Sequence, residues 1–161
     1  MNKFMRIEIT HNEYSSFEMS QTLLIDRLLS LLGLGDNEFD SSTTTPVAKG
    51  LLHRYLAGKL RKLSWKYHTD VGMMSYLQGH TCPDISMSVH QTSRFCNNPM
   101  LCHEKDVMRI GRYLLGTKTS GIIYKPARSR GLECYVDANF SGGWTKADAE
   151  NAENVLSRTG Y

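Results

Sequence analysis

Residues 4–10 (FMRIEIT) alternate apolar Met5, Ile7 and Ile9 with polar Arg6, Glu8 and Thr10. A period of two is the mark of a half-buried strand. The period then changes: Leu24, Leu28, Leu31 and Leu32 recur at three and four residues, the spacing that lines one face of an α-helix. With Ser20 as N-cap and Gly33 supplying a left-handed stop, the pattern predicts a helix over about 21–32. Residues 36–49 are rich in Asp, Ser and Thr and contain Pro46, so they read as a linker crossing a surface. Residues 49–66 show no period that decides between helix, strand and loop.

Three further helices are predicted. Asp70 can cap a helix over about 71–79, with Val71, Met74 and Leu77 as its apolar stripe. Thr81-Cys82-Pro83-Asp84 is a start signal: Thr81 as N-cap, Pro83 where a missing N–H costs nothing, and Asp84 near the positive helix end. Ile85, Val89, Thr92 and Phe95 or Cys96 continue that helix until Asn97-Asn98-Pro99 ends it. The fourth, about 101–115, has two faces. Val107, Ile110 and Leu114 share one, while Lys105, Arg109 and Arg112 lie opposite at i, i+4 and i+7. Gly116 is expected to stop it, residues 121–124 (GIIY) to form a short strand, and residues 126–130 to form a basic connection.

In residues 132–140 (LECYVDANF) the even positions Leu132, Cys134, Val136, Ala138 and Phe140 are apolar. The odd positions Glu133, Tyr135, Asp137 and Asn139 are polar. One face of this predicted strand is core and the other is wet. The elements together predict the α+β class.

The 161 residues are 40% hydrophobic, enough for one ordinary core or one and a half small ones. No stretch approaches the ~20 apolar residues of a membrane span, and the first ten residues carry no secretory signal pattern. Cys82, Cys96, Cys102 and Cys134 form no C-x-x-C pair, which favours free thiols in a reducing compartment. Cys96, Cys102 and His103 fit no usual zinc spacing. No nucleotide-binding G-x-x-x-x-G-K-[ST] loop and no G-x-S-x-G elbow occurs.

Net charge is only +3, but its distribution is uneven. Lys49, Arg54, Lys59, Arg61, Lys62 and Lys66 stand between Asp40 and Asp70 without an acid among them. Arg109, Arg112, Lys118, Lys125, Arg128 and Arg130 stand likewise between Asp106 and Glu133. Such blocks suit a polyanion, whose condensed counterions are released as phosphates are neutralised. A merely solvated surface is the competing reading.

The motifs also stand in a telling order: FMRIEIT, then Gln21 and a leucine helix; Val71-Gly72 with Tyr76-Leu77; Pro83-Asp84-Ile85; Arg94-Phe95; Arg112-Tyr113-Leu114 with Gly116-Thr117; and Tyr135-Val136-Asp137, closed by SRTGY (157–161). This order resembles a truncated Pol polyprotein of copia-type LTR retrotransposons. The resemblance implies the end of a reverse transcriptase palm in residues 1–12, as a primer-grip-like strand. A helical thumb/connection-like region follows in 13–128, and the truncated start of a ribonuclease H-like domain in 129–161. It implies a cytoplasmic retrotransposon particle, RNA–DNA hybrid or other nucleic acid as partner alongside the remaining Pol segments, and no membrane association.

By the same resemblance Asp137 is the first ribonuclease H carboxylate, one of several that hold two magnesium ions for cleavage of the RNA strand. Lys105, Arg109, Arg112 and Lys118 are the candidate nucleic-acid-binding residues. The sequence departs from the family at Cys82, where arginine is usual, and at Asn139, where a second aspartate is usual. No Tyr-x-Asp-Asp polymerase motif occurs in it, and the other ribonuclease H carboxylates would lie beyond Tyr161. The expectation is thus a Pol segment, related to an RNA-directed DNA polymerase with ribonuclease H, that has little or no catalysis alone. Two other readings compete: a nucleic-acid-binding module without chemistry, and a remnant that folds poorly because the strand over 132–140 lacks partners.

Overall fold

The computed structural model describes residues 6–12, 16–35, 41–47 and 58–125, together with the backbone of the strands Asn2–Phe4, Ala138–Phe140 and Ser157–Thr159. The chain divides into two compact units, Met1–Pro126 and Ala127–Tyr161. The class is α+β.

In the first unit, β1 (Asn2–Phe4), β2 (Ile7–His11), β3 (Phe17–Ser20) and β4 (Ile122–Tyr124) form an antiparallel sheet in the order β1-β2-β3-β4. Of the single strand predicted over 4–10, residues 7–10 belong to β2, but Phe4 ends β1 and a hairpin turn lies between them. Phe4 pairs with Ile7, and Arg6 between them has φ of 64°, a left-handed conformation that side chains other than glycine rarely take. Alternation in residues 5–10 runs through Arg6 without a break, so the period alone does not reveal this reversal.

Ile9, Met19 and Ile122 stand in register across three strands, as do His11, Phe17 and Tyr124. The rings of Phe17 and Tyr124 stack at 5.1 Å. Pairing of β3 with β4 therefore brackets about a hundred residues of intervening chain, and every helix of the first unit lies inside that bracket.

Helix α1 (Thr22–Leu32) follows β3 at once. Ser20 is still paired with Glu8 in the ladder, so it cannot cap the helix, and Gln21 takes that place without a side-chain capping bond. Its side chain is used elsewhere: Gln21 Oε1 accepts from Thr81 Oγ1 at 2.9 Å, in the interior. Gly33 ends α1 at φ 70°, as the sequence indicates.

Helix α2 (Tyr67–Gln78) starts four residues before the predicted position. Asp70 consequently lies in its first turn, 2% exposed, rather than at its cap. Thr81 likewise does not cap the next helix, since its hydroxyl goes to Gln21. Residues Pro83–Ile85 form a 3₁₀ turn, and α3 (Ser86–Ser93) follows, shorter than predicted. Helix α4 (Leu101–Thr117) runs through Gly116, which is not its stop.

Leu24, Ile25, Leu28, Leu29 and Leu32 of α1 meet Val71, Met74 and Leu77 of α2, Ile85 and Val89 around α3, and Val107, Ile110 and Leu114 of α4. Each fully buried aliphatic side chain stabilises the fold by about 1.5–3 kcal/mol relative to exposure. Tyr67 adds a buried hydrogen bond from its hydroxyl to the Thr92 carbonyl, at 3.0 Å. Burial pushes its phenol well above the usual tyrosine range.

In the second unit β5 (Ala138–Phe140) pairs antiparallel with β6 (Ser157–Thr159). The strand expected to stand without a partner thus has one. Residues 132–137, including Asp137, lie outside the described residues.

Candidate nucleic-acid interface

Helix α4 carries the predicted cationic stripe, and its buried face fixes the direction of the other. Val107, Ile110 and Leu114 are at most 1% exposed, which turns Lys105, Arg109 and Arg112 outward. Lys105 is exposed, whereas Arg109, Arg112 and Lys118 are half-buried. Arg109 is already engaged. Its Nη2 donates to Thr45 Oγ1 at 2.8 Å and its Nε to the Val47 carbonyl at 3.0 Å.

Residues 41–47 thus lie across α4 as a strap, held also by the Thr43 N–H on the Arg112 carbonyl at 3.4 Å. Gly116 makes room for it, because a Cβ there would come within 2.9 Å of the Ser42 Cβ. Lys118 Nζ sits 3.1 Å from Asp26 Oδ1, an exposed pair worth little in stability.

The other basic block is also partly engaged. Arg61 Nε contacts Glu104 Oε2 at 3.2 Å, and the Arg61 guanidinium lies 4.4 Å over the Trp65 ring. Arg61 is therefore an internal ion-pair partner rather than a surface cation.

A second basic surface is not apparent from the sequence. Arg6, in the β1–β2 turn, lines two grooves that flank α1. One, of about 490 Å³, is completed by Leu24, Thr69, Gly72, Met73 and Tyr76. The other, of about 430 Å³, is completed by Glu8, Leu23, Leu24 and Arg27. Leu23 and Leu31 are 61% and 47% exposed, with exposed Arg27 between them at i+4. The Leu23, Arg27, Leu31 spacing is legible as a helical stripe, but the hairpin that brings Arg6 beside it is not. Cations interleaved with apolar and aromatic surface suit a sugar–phosphate backbone.

Asp137 lies outside the described residues. Among the described residues no three His, Cys, Asp or Glu side chains gather to hold a metal ion, and the magnesium site that the resemblance implies falls on Asp137, outside them. Cys82, Cys96 and Cys102 are free thiols, and burial raises the pKa of Cys82 and Cys96. His103 has a packing role. It stacks on Phe95 at 4.0 Å, and its Nδ1 accepts the Met100 N–H at 3.0 Å. Among the described residues no helix is long and apolar enough to cross a membrane.

No protein-family model and no solved structure matches the chain. Curated relatives do. The retrovirus-related Pol polyprotein from transposon RE1 of Arabidopsis thaliana is 35% identical over 135 residues, covering 83% of this chain and 8% of the relative. That from transposon RE2 of the same plant is 31% identical over 96 residues, or 60% of this chain and 6% of the relative. A secreted RxLR effector protein of Plasmopara viticola is 34% identical over 95 residues, covering 59% of this chain and 61% of that protein. The chain thus spans under a tenth of the Pol relatives it matches. It belongs with the retrovirus-related Pol polyproteins of transposons, of which it matches one segment.

Proposed function

We propose that this segment serves RNA-templated DNA synthesis and degradation of the RNA strand within a retrotransposon Pol polyprotein, by holding the RNA–DNA hybrid beside the catalytic parts. The observation that carries this reading is the 35% identity to a transposon Pol polyprotein along 83% of the chain. In it the helical body is the thumb/connection-like region of the reverse transcriptase, and residues from 129 onward open the ribonuclease H-like domain. Asp137 is then its first carboxylate, and the remaining magnesium ligands come from other Pol segments. The working location is the cytoplasmic particle.

The basic surfaces support a hybrid as the partner. Arg6 and Arg27 beside α1 offer cations next to Leu23, Met73 and Tyr76. Lys105 and Arg112 add charge on α4. Recognition of this kind reads the shape and phosphates of a duplex rather than its base sequence.

The test is fluorescence anisotropy of a labelled RNA–DNA hybrid with the full chain at two salt concentrations, run beside a ribonuclease H assay with magnesium and an Asp137→Asn control. The reading expects binding that weakens steeply with salt, and no cleavage by the chain alone. Absence of binding at low salt would remove the hybrid-holding role. Cleavage abolished by Asp137→Asn would show that the segment completes a catalytic site without the rest of Pol.

A further inference from the structure

The strap over α4 joins a run of five hydroxyl residues, Ser41, Ser42, Thr43, Thr44 and Thr45, to a proline at position 46. Ser41, Ser42, Thr44 and Thr45 are exposed and Thr43 is half-buried. Two features together single out Thr45 among the five. It is followed directly by proline, which biases the residue before it to extended backbone. Its Oγ1 also accepts a hydrogen bond from a guanidinium, Arg109 Nη2, at 2.8 Å.

The contact is a fork. Arg109 Nε donates to the Val47 carbonyl at 3.0 Å while Nη2 donates to Thr45 Oγ1, and the Thr45 hydroxyl itself donates to the same Val47 carbonyl at 3.4 Å. Thr43 Oγ1 also reaches the Arg109 carbonyl, at 3.5 Å. All of these are neutral or singly charged contacts on an exposed face. Lys105 lies one helical turn before Arg109 and Arg112 one turn after, so the ground beneath Thr45 is cationic.

We propose that Thr45 is a phosphorylation site for a proline-directed serine/threonine kinase, and that Arg109 captures the resulting phosphate and pins the strap to α4. In the transfer Thr45 Oγ1 forms a bond to the γ-phosphorus of ATP, and the bond from that phosphorus to the β–γ bridging oxygen breaks. ADP leaves, and the hydroxyl proton passes to the catalytic aspartate of the kinase. The product adds a charge of about −1.5 to −2 at neutral pH and three strong acceptors, and a guanidinium fork grips a phosphate bidentately.

Asp106 is the local competitor. It lies half-buried three residues before Arg109, its carboxyl pushed up by burial and drawn down by His103, Arg109 and Lys105. A dianion outcompetes that partly desolvated carboxylate for Arg109 and Lys105. The pinned strap then keeps Arg109 from any other anion.

The test treats the full chain with a proline-directed kinase and magnesium ATP, locates the phosphate by tandem mass spectrometry, and follows its ³¹P resonance through a pH titration. The reference is a synthetic peptide of residues 36–50 phosphorylated at Thr45, whose second ionisation falls near the ordinary value of about 6. The expected result is phosphate at Thr45, with a midpoint at least about half a unit below the peptide because Arg109 favours the dianion. Arg109→Gln is expected to accept phosphate equally and return the midpoint to the peptide value. No phosphate at Thr45, phosphate confined to the other four hydroxyls, or a midpoint equal to that of the peptide would each overturn the proposal. The peptide comparison needs no variant to fold.

Discussion

Glu104 and Arg61 form a largely buried ion pair that fastens an irregular segment to a helix. Arg61 Nε reaches Glu104 Oε2 at 3.2 Å, with the two side chains 19% and 3% exposed. The carboxylate also accepts the backbone N–H of Leu63 at 3.1 Å and of Lys62 at 3.4 Å. Arg61 Nη2 donates onward to the Trp65 carbonyl at 2.7 Å. The pair thus replaces the backbone bonds that residues 61–65, with neither helix nor strand, would otherwise lack.

Removing one partner of such a pair leaves the other charge poorly solvated, at a cost of about 3–5 kcal/mol. Because Arg61 retains some exposure, Glu104→Ala is expected near the lower end of that range. Glu104→Gln keeps an acceptor and is expected to cost less. Urea denaturation of the three proteins measures both differences, and equal stability of wild type and Glu104→Ala would show that the segment is held by packing alone.

Asp70 gives a pH dependence of a definite sign. Its side chain is buried, and Oδ2 has no hydrogen-bond partner among the described residues. Burial raises its pKa, with Arg61 pulling the other way. The native state therefore holds its proton to higher pH than the unfolded chain does. Stability from this group is fully present below about pH 4 and is lost as pH rises through the native pKa. Asp70→Asn is expected to stabilise the protein at neutral pH by on the order of 1 kcal/mol, and to match wild type in acid. Thermal melts across pH check this, and a constant gap between the two curves would contradict it.

Gly116 tests the strap. An added Cβ would press on Ser42, while alanine is better than glycine inside a helix by about 1 kcal/mol. Gly116→Ala is expected to leave the melting temperature unchanged or slightly raised, yet to speed proteolysis within residues 41–47 several-fold. If cleavage there is not faster, the close approach of Ser42 does not hold the strap.

Where burial and period coincide, the fold is legible in the sequence. The stripes Val71/Met74/Leu77 and Val107/Ile110/Leu114 are buried, as are Leu24, Leu28 and Leu32 of the first stripe, whereas Leu31, read into the same stripe, is 47% exposed; Gly33 stops α1 as its type suggests. Capping residues mislead, because Ser20, Asp70 and Thr81 each have a competing tertiary use. Ser20 stays in a ladder, Asp70 is drawn inside and Thr81 bonds Gln21. Helix signals are local, and a buried hydrogen bond between residues sixty apart leaves no local trace.

The site is less legible for the same reason. A basic block counts charges but does not say which are already paired. Arg61, Arg109 and Lys118 all find partners far along the chain. Arg6 belongs to neither block and becomes a groove residue only through the hairpin turn.

Tyr113 offers a spectroscopic check on the α4 surface. Its hydroxyl donates to Asp84 Oδ2, and this hydrogen bond, with some burial, pushes its pKa up to about 12. A phenol with a raised native pKa contributes stability that is present below about pH 10 and is lost as pH rises towards 12. Tyrosinate absorbance is expected to show Tyr113 titrating late alongside the buried Tyr67, and Asp84→Asn is expected to bring Tyr113 alone back towards the ordinary range. An unchanged titration in that variant would mean the hydrogen bond is not what holds the proton.

The choice between the two basic surfaces can be read from a salt slope. Removing a cation that neutralises one phosphate reduces the slope of log K against log salt by about one. Arg27 is exposed beside Arg6 in a groove, whereas Arg109 is committed to Thr45 and Val47. Arg27→Gln is therefore expected to flatten the slope for an RNA–DNA hybrid by about one, with Arg109→Gln leaving it nearly unchanged. The reverse ranking would mean that the hybrid displaces the strap and lies along α4. An exposed cation is available to a polyanion only after its internal partners are counted, and on that count α1 and the β1–β2 turn come first.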